Sequence, residues 1–170
     1  MTQDGLLAVD VFPGQGQAAQ AHVIAMLTDM CRHPSEGGPE VMNLERYWHP
    51  HFNWYGPAGI GTSRGIKGFR DWHQIPFLRA MPDRALDPEG LVSHWVAEGD
   101  YVCETGWPNM RQTLSVGGWL GLPPTGQKIE LRSLAFWHLQ MDQIRQLGCS
   151  NPNRHDHDPR YAGYAWCSIA

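Results

Sequence analysis

Between residues 17 and 32 apolar side chains recur every three or four positions. Ala21, Ile24, Ala25, Thr28 and Cys31 trace one stripe, and Val23, Met26, Leu27 and Met30 widen it, so a mostly buried helix is expected. The turn-forming run from His33 to Pro39 stops it. A second, shorter helix is expected from Glu40 to about Trp48, with Val41, Leu44 and Trp48 at helical spacing. Pro39 stands near its first turn, where a missing N–H costs little. His51 to Tyr55 reads as a short strand in which Trp54 shares a side with Phe52, the side expected to face helices or a pocket. Gly56 to Gly68 holds five glycines and Pro57, a bending segment. A third helix is expected from Ile66 to Gln74, placing Phe69, Trp72 and His73 on one face at i, i+3 and i+4. Pro76 then disfavours helix at Ile75 and permits a short new turn through Ala80.

From Leu91 onward the period changes to two. Leu91 to Ala97 and Tyr101 to Thr105 flank the tight-turn composition Glu98-Gly99-Asp100. A long strand from about Lys128 to Gln140 follows the Pro123-Pro124-Thr125-Gly126 turn. Its odd positions are nearly all apolar, whereas its even positions begin polar and become apolar at Leu134 and Phe136. A last strand spans about Gln143 to Cys149. The order is therefore helices, strand, helix, then an antiparallel meander: an α+β domain with helices on one face of a curved sheet. Residues 1–150 form one domain on this reading, and 151–170 a polar C-terminal extension. A strand apolar toward both faces must bury both, and helices cover only one. Pairing of two copies through the outer sheet face resolves this.

Composition narrows the class more than it identifies it. A chain of 170 residues is one domain long, and 13 Lys+Arg against 17 Asp+Glu give a net charge of −4. That argues against a nucleic-acid footprint, which needs a basic patch. No apolar run approaches the roughly 20 residues of a spanning helix. The first ten residues carry acids and no basic region, so no secretory signal is expected. With that, the scattered Cys31, Cys103, Cys149 and Cys167 read as free thiols of a cytoplasmic protein. Surpluses of Trp (8) and Gly (19) suit a sheet-rich domain around a cavity.

The element order, the stretch Pro76-Phe77-Leu78 through Met81-Pro82-Asp83, then Glu98-Gly99-Asp100 and Pro124-Thr125-Gly126, resembles the SnoaL-like polyketide cyclases of the nuclear transport factor 2-like superfamily, over roughly residues 17–150. The resemblance implies a cone: a bent antiparallel sheet around a pocket, with about three helices closing it. It implies a small organic ligand, a homodimer through the outer sheet face, and ring closure by acid/base chemistry without metal or organic cofactor. It also implies an acid/base Asp at the position of Ala135, an Arg of the related epoxide hydrolases at Ser133, and carboxylates in the last strand, where this chain carries Cys149. General acid/base work needs a group of tunable pKa, and Ser133, Ala135 and Cys149 offer little of it.

His73 is then the candidate for proton transfer, on a helix face turned toward the cone. Expected wall residues are Trp54, Phe69, Trp72, Phe77, Trp95, Ser133, Ala135, Trp137 and Cys149, the aromatics supplying large flat surfaces. His94, between Val92 and Val96, is expected to be buried, and His138 to face an interface. His49-Pro50-His51 and His155-Asp156-His157-Asp158 lack a closed ligand set and read as loop composition, without a metal. Three functions fit: a cofactor-free cyclase, isomerase or hydratase on a small apolar substrate; a binding protein on the same scaffold; or a structural module whose cone is filled by tryptophans. A ligand-sized pocket separates the first two from the third.

Overall fold

The computed structural model describes residues 16–32, 39–57, 59–84, 91–141, 143–149 and 167–169. The chain begins with α1 (Gln17–Met30), a 3-10 turn (Pro39–Met42) and the short α2 (Leu44–Tyr47). Next come β1 (Trp48–Tyr55) and β2 (Thr62–Arg64), and then α3 (Gly65–Phe69), a π-helical turn (Arg70–Gln74) and α4 (Ile75–Ala80). The remaining strands are β3 (His94–Glu98), β4 (Tyr101–Thr105), β5 (Met110–Thr113), β6 (Lys128–Gln140), β7 (Gln143–Cys149) and β8 (Cys167–Ile169). The expected α+β architecture is present, and β6 and β7 have the bounds the alternation predicts.

The strands form a curved open sheet in the order β2-β1-β7-β6-β4-β3, with β5 and β8 joined to the first half of β6. All pairings are antiparallel except β1 with β7, which run parallel with Trp54 beside Leu147. β8 pairs Cys167 with Ser133, so part of the C-terminal extension adds to the sheet. Residues 151–166, with His155 and His157, lie outside the described residues.

The helices cover one face of the sheet. On α1 the buried positions are Ala19, Val23 and Met26, whereas Ala21, Ile24, Ala25 and Thr28 are exposed. The expected stripe is therefore on the solvent side; α1 is apolar over so much of its circumference that periodicity alone does not choose its face. The second expected helix is shorter than its pattern. It breaks at Asn43, which adopts φ 53°, and Trp48 already has extended geometry and opens β1. Pro76 does not end the third helix. Ile75 stays helical at φ −66° and ψ −47°, and the π turn just before it relieves the proline. A proline ring clashes with the carbonyl four residues back, and a widened turn moves that carbonyl aside.

The core runs along the inner sheet face. Trp48, Phe52 and Trp54 of β1 share one buried cluster with Leu131, Ala135, Trp137 and Leu139 of β6, with Ile144 and Leu147 of β7 between the two strands and Val102 of β4 on the far side of β6. The outer face also carries apolar groups. Val96 is 63% exposed, Tyr101 60% and Phe136 47%, and Val96, Cys103 and Phe136 lie in one cross-strand row. His138 is half-buried on this face, stacked on Tyr101 with ring centres 4.6 Å apart. His94 is exposed rather than buried, because β3 is the sheet edge and its outer face is uncovered.

Candidate functional site

A cavity of about 120 Å³ opens between the helices and the concave sheet face. That is roughly ten times what a single water needs. Its walls are α1 (Met26, Leu27, Met30), Met42, Trp48 and Trp54 of β1, the α3–α4 segment, and inward positions of β4, β5, β6 and β7. The lining is predominantly apolar, as small-molecule sites are.

Among the residues singled out from the sequence, Trp54, Phe69, His73, Phe77, Ser133, Ala135 and Trp137 line the cavity. Trp72 does not: it is 76% exposed. The π turn closes its hydrogen bonds five residues back instead of four, so His73 stays above Phe69 while the i+3 position swings outward. Trp95 faces the inner side but lies beyond the cavity, stacked on Trp137 at 6.1 Å. Cys149 pairs with Ala135 through the backbone, and its side chain lies outside the described residues.

His73 is built into an aromatic cluster. Its ring stacks on Trp54 with centres 4.3 Å apart and interplanar angle 22°, and Phe69 and Phe77 flank it at 5.3 and 5.6 Å. Nδ1 is enclosed and has no hydrogen-bond partner. Burial, helped by the nearby Arg84 charge, lowers its pKa from 6.5 to about 3. The imidazole is therefore neutral at pH 7.

Other polar atoms of the wall also lack partners. The indole Nε1 groups of Trp48, Trp54 and Trp137 are buried donors without an acceptor. Gln74 gives its Nε2 to the Met42 sulfur at 2.8 Å and leaves Oε1 unpartnered. A buried polar atom without a partner costs about 1–3 kcal/mol. A molecule that satisfies several of them recovers that cost.

The feature that the sequence reading missed is Glu104. It is 6% exposed, lines the cavity, and stands directly opposite Ala135 across the β4–β6 ladder. Oε1 accepts the Ser93 hydroxyl at 2.7 Å and Asn109 Nδ2 at 2.9 Å, and Oε2 accepts the Ser133 hydroxyl at 3.2 Å. Asn109 is held in turn: its Oδ1 accepts the Ser133 backbone N–H at 2.7 Å, and its own N–H donates to Leu131 O at 3.1 Å. The loop carrying Asn109 approaches closely because residue 106 is glycine; a Cβ there would stand 1.6 Å from the Val92 carbonyl oxygen. The sequence signal for Glu104 is its period. It shares a strand side with the buried Val102, so the acid points inward.

Among the described residues no group of three His, Cys, Asp or Glu side chains is arranged to hold a metal ion. His49 Nδ1 instead accepts hydrogen bonds from the His51 backbone N–H and from Arg145. Nor does any described helix have the length and apolarity to cross a membrane. Cys31 and Cys103 are free thiols, and burial together with the Glu104 charge pushes the Cys103 pKa up to about 11.

The sequence profile of the SnoaL-like domain matches residues 29–147. No curated protein matches the chain. Among solved structures it is similar to a candidate SnoaL-like polyketide cyclase from Jannaschia sp. CCS1, at 16% identity over 80% of this chain and 86% of that one, with TM-score 0.63. IdmH of Streptomyces antibioticus, a candidate polyketide cyclase, is similar at 21% identity over 73% and 87%, with TM-score 0.54. TerC, crystallised with polyporic acid, is similar at 15% identity over 78% and 89%, with TM-score 0.55. At these identities the structural likeness is one of fold.

Proposed function

The chain belongs to the SnoaL-like domain family, and on that premise we propose that its cavity holds a small, largely apolar organic molecule bearing a carbonyl oxygen. The observation that carries this is the set of unpartnered donors in an apolar wall: the indole N–H groups of Trp48, Trp54 and Trp137. A carbonyl oxygen accepts from one of them, and an apolar ring fills the remaining volume. That the similarly folded TerC was crystallised with polyporic acid supports an organic ligand. Calorimetric titration of the full chain with small aryl ketones tests the reading. Binding is expected in the wild type and not in Ala135→Leu, whose larger side chain occupies the cavity. The absence of binding by any of a panel of such ketones overturns it.

Reaction, where it occurs, is cofactor-free acid/base chemistry of the cyclisation, isomerisation or hydration type, with His73 against the reacting molecule. Burial keeps its imidazole neutral, so His73 acts there as a neutral hydrogen-bonding group and not as an imidazolium acid. His73→Gln is expected to abolish turnover, and unchanged turnover removes His73 from the reaction. The non-catalytic alternative, ligand storage or sensing, is supported by Ala135 at the position where the family resemblance implies an acid. The outer-face row of Val96, Cys103 and Phe136 supports pairing of two copies of the chain.

A further inference from the structure

The Glu104 carboxylate takes no part in the reading above, yet it is the most completely built polar group of the cavity. Two donors, Ser93 and Asn109, occupy Oε1, while Oε2 receives only the Ser133 hydroxyl at 3.2 Å. A carboxylate offers about four acceptor positions, so Oε2 keeps a lone pair unused. Among the described residues no cation pairs with it. The pose of the carboxylate is fixed from outside. The Ser133 backbone N–H can only donate, so Asn109 must turn Oδ1 toward it and its NH2 toward Glu104. Glu104 shares the inner sheet face with Trp137, two positions along β6 from its partner Ala135.

The wall is therefore polarised: acceptors at Glu104 and Gln74, donors at three indoles, and apolar surface around both. We propose that Glu104 Oε2 accepts a hydrogen bond from a hydroxyl group of the bound molecule, so that the carbonyl-bearing ligand of the cavity also carries a hydroxyl group. Asn109 acts as a positioning residue that holds the carboxylate. This rests on the small-molecule reading of the cavity and assigns the ligand its second polar end. A hydrogen bond to a charged acceptor is among the strong ones, and a site built around it discriminates sharply against a ligand lacking the hydroxyl.

Acetophenone and 4-hydroxyacetophenone differ by that one hydroxyl and serve as probes in calorimetric titrations of the full chain. The wild type is expected to bind the hydroxy ketone roughly ten- to a hundredfold more tightly. In Glu104→Gln the two donors still hold the amide oxygen in place of Oε1, so the NH2 group replaces Oε2 and an acceptor becomes a donor. The preference is then expected to vanish while acetophenone affinity is retained, which also shows that the variant is folded. Equal affinities for the two ketones in the wild type overturn the proposal and leave the cavity reading standing. Preference retained in Glu104→Gln overturns it as well, and binding of neither ketone overturns both readings. The wild-type comparison decides by itself if the variant does not fold.

Discussion

Glu104 of β4 and Ala135 of β6 are direct cross-strand partners on the cavity side of the sheet. The family resemblance implies an acid at residue 135, and this chain carries a methyl group there. A buried carboxylate nevertheless occupies the same cross-strand row, supplied by the neighbouring strand. Directly paired residues hold their Cβ atoms about 4.5–5.5 Å apart, so the small Ala135 leaves the room into which Glu104 extends.

Restoring the acid is therefore expected to be harmful. Ala135→Asp places two carboxylates side by side in an apolar wall, where both cannot ionise cheaply. A loss of about 2–4 kcal/mol at pH 7 is expected in urea unfolding. The double variant Ala135→Asp/Glu104→Gln should recover at least about 1 kcal/mol of it. Additive losses would show that the two positions do not sense each other.

His73 makes stability depend on pH with a definite sign. Its folded pKa, about 3, lies below the unfolded value of 6.5, so the unfolded chain binds the proton more tightly. Its contribution is fully present above pH 6.5 and is lost as pH falls toward 3, at a slope of at most about 1.4 kcal/mol per pH unit. Chemical unfolding at pH 7 and pH 4.5 should show a larger acid loss in the wild type than in His73→Gln. Equal losses would place the acid sensitivity elsewhere.

Trp54 and Trp72 separate a packed tryptophan from a surface one. Trp54 is 1% exposed and stacks on His73, so Trp54→Ala is expected to cost about 3–5 kcal/mol. Trp72→Ala should change stability by no more than about 0.5 kcal/mol. A large cost at Trp72 would contradict the outward turn of the π segment.

Phe136 tests the outer face. If two copies pair there, Phe136→Asp buries an unpaired charge in the contact. The mass measured by light scattering should then fall from twice the chain to once, with cavity binding retained. A wild-type chain that is monomeric at every concentration measured removes the pairing.

Much of the scaffold is legible in the sequence because β6 and β7 are long and alternate cleanly, so their inward and outward sides sort themselves. The short β2 and β5 leave no such trace. β5 is four residues long and is specified only by its pairing with β6, as Met110 is with Leu131. Trp72 is misread because the periodicity of an α-helix does not apply across a π turn. Trp54 of β1 and Phe69 of α3 follow from aromatic spacing, whereas Trp48, read as the end of a helix, opens β1 and lines the cavity from there. Glu104 does not follow from spacing, since an acid in a strand ordinarily points to water, and the donors Ser93, Asn109 and Ser133 make the inward position tolerable.

The parallel pairing of β1 with β7 joins Trp54 to Leu147, residues 93 positions apart. The β3–β4 and β6–β7 hairpins close short loops and are expected to form early, whereas this contact must pay the entropy of a long one. The β1–β7 ladder sets Trp54 against the β6–β7 part of the cavity wall. On loop length alone the binding site is expected to form late in folding, after the transition state. An occupant of the cavity is accordingly expected to slow unfolding while leaving the refolding rate untouched.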